Sequence, residues 1–237
     1  MSAAVGIAVK GAAVGTATTA SGASQATGST FYIFMVWDSF STFTSVADNK
    51  GNSANYTLVG TEQTVGSFKT RLYKCVNGAG GSGHTATVVV SGGGQPTVFL
   101  IEATGCDTST PVDQSDRRAD STTPFTLAAG LTTTQNNELL LTFLGGDSSS
   151  NPTTLAESGL GSSTIVVSET NGAANWTSGI AWSYKTSTGT FNPSWTSSGA
   201  TNTIVYLETL KEAAGAGSST PGKTWQAQGS MGVMVSM

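Results

Sequence analysis

Phe31-Tyr32-Ile33-Phe34-Met35-Val36-Trp37 sets seven large side chains in a row with no polar break. Strict alternation marks a strand with one wet face; an unbroken run of this length marks a strand covered on both faces. The stretch therefore belongs in the middle of a packed sheet. On either side of it strand signals continue: Ala3 to Val9, Tyr56 to Val59, Lys69 to Val76, Thr85 to Val90 and Thr97 to Ala103. Glu138 to Leu144, Ile165 to Val167, Gly179 to Tyr184 and Thr203 to Leu210 complete the set. Each is bounded by Gly, Pro, Asn or Ser, which supply turns, and none shows helical periodicity over helical length. Asp48 to Asn52 reads as the turn of a hairpin leading into Tyr56 to Val59. Gly78 to Gly83 reads as the turn that returns Thr85 to Val90 onto Lys69 to Val76.

The expected fold is all-β: an antiparallel β-sandwich, jelly-roll-like, with extended terminal arms. Residues 1–29 read as an N-terminal strand and arm, 30–212 as the sandwich domain, and 213–237 as a linker and C-terminal assembly arm. No internal repeat is visible that would split the chain.

Composition agrees. Charged residues make up 10% of the 237, against about a quarter in an average domain, and Ser, Thr, Gly and Asn fill the deficit. Low charge with a mean hydropathy of -0.01 favours an ordered fold over disorder. A net charge of -4 argues against a nucleic-acid partner, because phosphate neutralisation needs clustered Lys and Arg. The adjacent pair Arg117-Arg118 lies among Asp113, Asp116 and Asp120, and this cluster reads as a solvated loop. No stretch is apolar enough or long enough to insert into a membrane as a helix. The N-terminal run lacks a basic start and is interrupted by Lys10, so no export leader is expected. Cys75 and Cys106 are accordingly expected to be buried and reduced.

The inventory of reactive groups is thin. His84 is the only histidine, which leaves little for a His-based triad, and beside the Gly-rich turn it reads as an exposed strand-end residue. Calcium ligands are conceivable at Asp48, Asn49 and Asn52, or at Asp107, Asp113 and Asp116, but turns call for the same residues. Glu62, Glu102, Glu138, Glu157 and Glu169 are raw material for a glycosidase pair that sequence cannot assemble. Glu102, alternating with Val98 and Leu100, is expected to be partly buried. No catalytic, cofactor-binding or metal-binding set is therefore assigned, and the chain is not expected to be an enzyme.

Trp37 and Trp182 read as core. Trp176 and Trp195 sit in Asn/Ser/Thr-rich stretches and are the candidates for ligand contact, since aromatic faces stack on sugar rings. The last segment runs through small residues to Trp225 and Met231-Gly232-Val233-Met234-Val235. Trp225, Met231, Val233, Met234 and Val235 are the expected assembly residues, an apolar finish suited to a sheet edge on this chain or a neighbour.

Several strings taken together carry a resemblance. They are Trp37-Asp38, Asp48 to Asn52, Asn55 to Thr61, Arg71 to Tyr73, Pro96 to Phe99, Asn137 to Leu139 and Trp182 to Lys185. Their order resembles a loosely defined group of β-sandwich virion structural proteins of tailed bacteriophages and prophages. It covers roughly Thr30 to Glu212 and carries over no catalytic residue. The resemblance implies a virion structural protein, assembled in the host cytoplasm and placed on the exterior of the virion. Without a coiled-coil or repetitive shaft, a head decoration or cement protein on the capsid is expected, forming homo-oligomers, with a trimer favoured. Its partners would be itself and the major capsid protein or another virion protein. The alternatives are a tail fibre or tail tip that binds a receptor or host surface glycan, and a glycan hydrolase.

Overall fold

The computed structural model describes residues 2–6, 15–19, 26–94, 96–148, 155–161, 164–171 and 176–214. Its first half contains β1 (Ser2–Gly6), β2 (Thr16–Thr18), β3 (Ser29–Asp38), β4 (Thr42–Asp48) and β5 (Thr57–Leu58). It continues with β6 (Gln63–Val65), β7 (Phe68–Gly78), β8 (Ala86–Ser91) and β9 (Thr97–Thr104). The second half contains β10 (Val112–Asp120), β11 (Phe125–Thr126), β12 (Leu131–Thr132), β13 (Glu138–Ser148) and β14 (Leu155–Glu157). β15 (Thr164–Asn171), β16 (Trp176–Lys185), β17 (Thr190–Phe191), β18 (Ser194–Ser197) and β19 (Ala200–Lys211) follow. No α-helix occurs among the described residues.

The pairing is antiparallel throughout and divides the chain in two. In the first half a broad sheet runs β1-β9-β3-β7-β5, with β6 also on β7, and a narrow sheet runs β2-β8-β4. In the second half the broad sheet runs β10-β19-β13-β16-β15 and the narrow sheet β11-β18-β14, with β12 and β17 as a separate pair. Both halves therefore share one topology, the two-sheet strand order of a jelly roll. The fifth strand lies on the broad sheet instead of the narrow one.

Three apolar layers hold four layers of strands. Phe31, Ile33, Met35 and Trp37 on one face of β3 pack against Val88 and Val90 of β8. Tyr32, Phe34 and Val36 on the other face meet Leu139, Leu141, Phe143, Ile204 and Tyr206 of the second roll. The outer face of β13, with Leu140 and Leu144, packs against Phe125, Leu160 and Trp195. The rolls thus lie broad sheet on broad sheet. This explains the unbroken apolar run: every residue of β3 is buried, because the strand has a core on each side.

Equivalent positions meet at the centre. Phe34 pairs with Leu72 and Phe99, and Phe143 pairs with Ile180 and Tyr206 in the same places of the second roll. The two Phe rings lie 5.5 Å apart, so an approximate two-fold axis passes between them. Two aligned residues further along, Val36 faces Gly145. A methyl group on Gly145 would stand 2.7 Å from Thr70 Cγ2 and 3.1 Å from a Val36 methyl, so only glycine fits.

The expected sandwich is present, but 30–212 holds parts of two rolls and not a single sandwich. β1 falls within the expected N-terminal strand and pairs with β9, whereas β2, in the stretch expected as an arm, is a strand paired with β8. Both expected hairpins are absent. β7 pairs with β3, β5 and β6, whereas β8 pairs with β2 and β4, so the Gly-rich turn crosses between sheets. Likewise β4 pairs with β8 and β5 with β7. In a jelly roll, sequence neighbours alternate between sheets, and a good turn signal does not imply that its flanks pair. The Arg117-Arg118 cluster is not a loop but β10, an edge strand on β19 in which Asp113, Asp116, Arg117 and Arg118 are half-buried and Asp120 is buried.

Candidate functional site

One end of the molecule is built from the turn between β3 and β4. Phe40 is 76% exposed there, the only large hydrophobic side chain so displayed among the described residues. The turn beneath it is pinned. Buried Asp38 accepts from the Ser41 amide at 2.8 Å, and the Ser39 amide donates to Ser67 O at 2.8 Å. Ser41 O receives the Trp37 indole N–H at 3.3 Å and the Lys69 ammonium at 3.1 Å. Gly94 lies so close that a Cβ there would sit 2.4 Å from both Asp38 Oδ2 and Ser41 Oγ. In the second roll Asp147, aligned with Asp38, accepts instead from the start of β19, from the Asn202 amide at 2.9 Å and Thr201 Oγ1 at 2.8 Å. Its sequence continues Ser148-Ser149-Ser150, where the first roll has Ser39-Phe40-Ser41.

The opposite end of the first roll is closed by a polar cluster around Asp48. Its carboxylate accepts from the amides of Lys50 and Asn52, Asn52 Nδ2, Tyr56 OH and His84 Nε2, the last at 2.9 Å. Burial works to raise the Asp48 carboxyl, but these donors prevail and hold it below its usual range. His84, expected to be exposed, is fully buried with its ring edge-on to Phe31 at 4.8 Å. The imidazole closes the gap between the two sheets, which local sequence could not reveal because Asp48 lies 36 positions away. Asn49 Oδ1 accepts from the Thr85 amide and Asn52 Oδ1 from the Ala79 amide. Asp48, Asn49 and Asn52 therefore tie loops together.

The other candidate oxygens are likewise engaged and dispersed. Asp107 accepts from the Ser109 and Thr110 amides, Asp113 from Thr134, and Asp116 from the Arg117 amide. No group of three or more His, Cys, Asp or Glu gathers among the described residues. Of the glutamates, Glu62 is paired with Arg71 and Lys69 on the surface. Glu102 is buried and accepts from the Ala26 amide and Ser29 Oγ. Glu157 accepts from the Gly159, Leu160 and Ser194 amides, and Glu138 is buried at the start of β13. Glu102 and Glu138 belong to different rolls and point to their outer layers, so they do not face each other.

Trp195 is a correction. It lies in β18, fully buried, and donates its indole N–H to Thr142 Oγ1 at 3.0 Å, so it presents no face to a sugar. The surrounding Ser and Thr misled because they are the outward positions of a short strand. Trp176 begins β16, and its side chain lies outside the described residues. Trp225, Met231, Val233, Met234 and Val235 also lie outside them. Cys75 and Cys106 are free and buried, as expected. Phe40 was passed over in sequence; its signal is a lone aromatic between two serines in a turn.

Comparison with protein-family models, curated proteins and solved structures finds no match.

Proposed function

We propose that this chain is a bacteriophage virion structural protein, acting as a head decoration or cement protein on the capsid exterior. The observation that carries the reading is the stack of two jelly rolls with continuous cores, in which buried polar groups serve mainly as caps and ties. Such a body is a rigid block, and rigidity is what a particle surface requires. The pinned Phe40 turn supports the same reading. An aromatic held out by a fixed turn gains contact area at little entropic cost, the property of an interface anchor. Its partner on this reading is an apolar pocket on a capsid protein.

The test is copy number and placement. Labelled antibody or quantitative mass spectrometry of purified particles should find this chain in copies comparable to the major capsid protein. A handful of copies at one tail would replace this reading with the tail-tip one. Phe40→Ser, which copies the second roll, should leave thermal stability within about 0.5 kcal/mol of the parent, as for a surface change. It should weaken particle binding at least about tenfold. Unchanged binding would remove Phe40 from the interface.

A further inference from the structure

The two rolls solve one problem in two ways. At the start of the central strand, the first roll places Ser29 on β3 and Glu102 on the adjacent β9. The second roll exchanges the residue types, placing Glu138 on β13 and Thr209 on β19. Glu102 is well satisfied, with the Ala26 amide at 2.8 Å and Ser29 Oγ at 2.7 Å. Glu138 is fully buried, and neither of its carboxyl oxygens makes a well-formed hydrogen bond.

The charged groups around it offer little relief. Its register partners are Lys185 on β16 and Lys211 on β19. The Lys185 ammonium turns away to Leu160 O and the Phe191 ring, and Lys211 Nζ reaches Thr110 Oγ1 at 3.3 Å. Glu212, just beyond β19, faces Tyr184 OH. On β10 stands another carboxylate, Asp113, held by the Thr134 amide at 2.8 Å and Thr134 Oγ1 at 2.6 Å. The preceding loop and β12 bring no charge. Burial therefore pushes the Glu138 carboxyl up to about 7; Thr209 and the Gln135 amide oppose the shift and Asp113 adds to it. Asp113 is displaced the other way, since Thr134 outweighs its partial burial. One proton on Glu138 lets the two acids coexist.

This pair sits where three segments are tied. Asp113 holds the 133–137 loop through Thr134. The Glu212 amide donates to Asn137 O at 3.3 Å, and the Lys211 amide to Pro111 O at 2.7 Å. We propose that Glu138 and Asp113 form a proton-operated latch. With Glu138 neutral it holds the 133–137 loop and the root of the C-terminal segment against the second roll. When the proton leaves to water, the buried negative charge beside Asp113 loosens both.

The sign follows from linkage. The folded chain retains a proton that the unfolded chain gives up from about pH 4.5 upward. Stability from this group is therefore complete below that pH and declines until Glu138 itself ionises near 7.

The experiment uses the full chain. Side-chain carboxyl NMR should show Glu138 titrating with a midpoint near 7, and an ordinary carboxylate midpoint would overturn the latch. Hydrogen exchange, corrected for intrinsic rates, should show the 134–137 and 212 amides protected at about pH 5.5 and at least about tenfold faster at about pH 8.5. Glu138→Gln should keep them protected at both. Should that variant not fold, Asp113→Asn serves instead, lowering the Glu138 midpoint. Protection independent of pH in the parent overturns the proposal. So does calcium restoring protection at high pH, which would make the pair a cation site.

Discussion

Cys75 and Cys106 lie in different apolar layers. Cys75 is in the layer between the first roll's two sheets, with Phe31 and Met35, and Cys106 is in the layer between the rolls, with Tyr32. A sheet separates them, so they cannot bridge without rebuilding the fold. Burial raises both thiols, Cys106 to about 12, which keeps them protonated and unreactive at neutral pH. Alkylation of the native protein should therefore label neither, and alkylation after denaturation without reductant should label both. Absence of labelling in the denatured chain would mean a disulfide and a different fold around one cysteine. The burial and reduced state of these residues were legible, because each sits in or beside an apolar run. His84 was not, because its burial depends on an aspartate brought from another strand. Nor was Trp195, whose Ser and Thr neighbours look like a loop in one dimension and like the wet face of a strand in three.

Elements were legible where burial is two-sided or alternation is clean. β3, β7, β9, β13, β16 and β19 all fall where apolar runs predict them. β10 escaped because an edge strand needs only one pairing partner and can carry half-buried Asp and Arg, charges that also discourage further pairing. Partners were less legible than strands, since turn chemistry fixes only where the chain reverses. The closest approach between elements gives a direct test. Gly145 of β13 faces Thr70 of β7 and Val36 of β3 across the rolls, with no room for a methyl group. Gly145→Val would restore the residue type found at the aligned position of the first roll, yet it should destabilise by about 1–3 kcal/mol through overpacking. Denaturant melts would read this as a lower midpoint with an unchanged slope. A neutral result would mean that the two rolls do not press together at this point.

The duplication is the feature of the whole molecule that sequence concealed most completely. What the halves share is topology, facing and a few anchors such as Asp38 and Asp147. The side chains at aligned positions have diverged in compensating ways. Val36 stands against Gly145 because both occupy one crowded place near the axis, and Ser29 with Glu102 is answered by Glu138 with Thr209. Divergence of this kind erases identity while preserving pattern, so a search for repeated residues misses it. Among the described residues the last member of any core layer is Leu210, and the chain is then fastened by the Glu212 amide on Asn137 O and the Ala213 amide on Gly105 O. Every described strand and core residue precedes residue 215. Deleting 215–237 should leave cooperative melting intact, with a midpoint close to that of the full chain. On the proposed assembly role of the apolar finish at Met231 to Val235, the truncated protein should lose self-association or attachment to particles. Sedimentation and particle-binding assays read the two outcomes separately. Loss of cooperative melting would place the segment in the core, and normal assembly of the truncated chain would end its assignment as an arm.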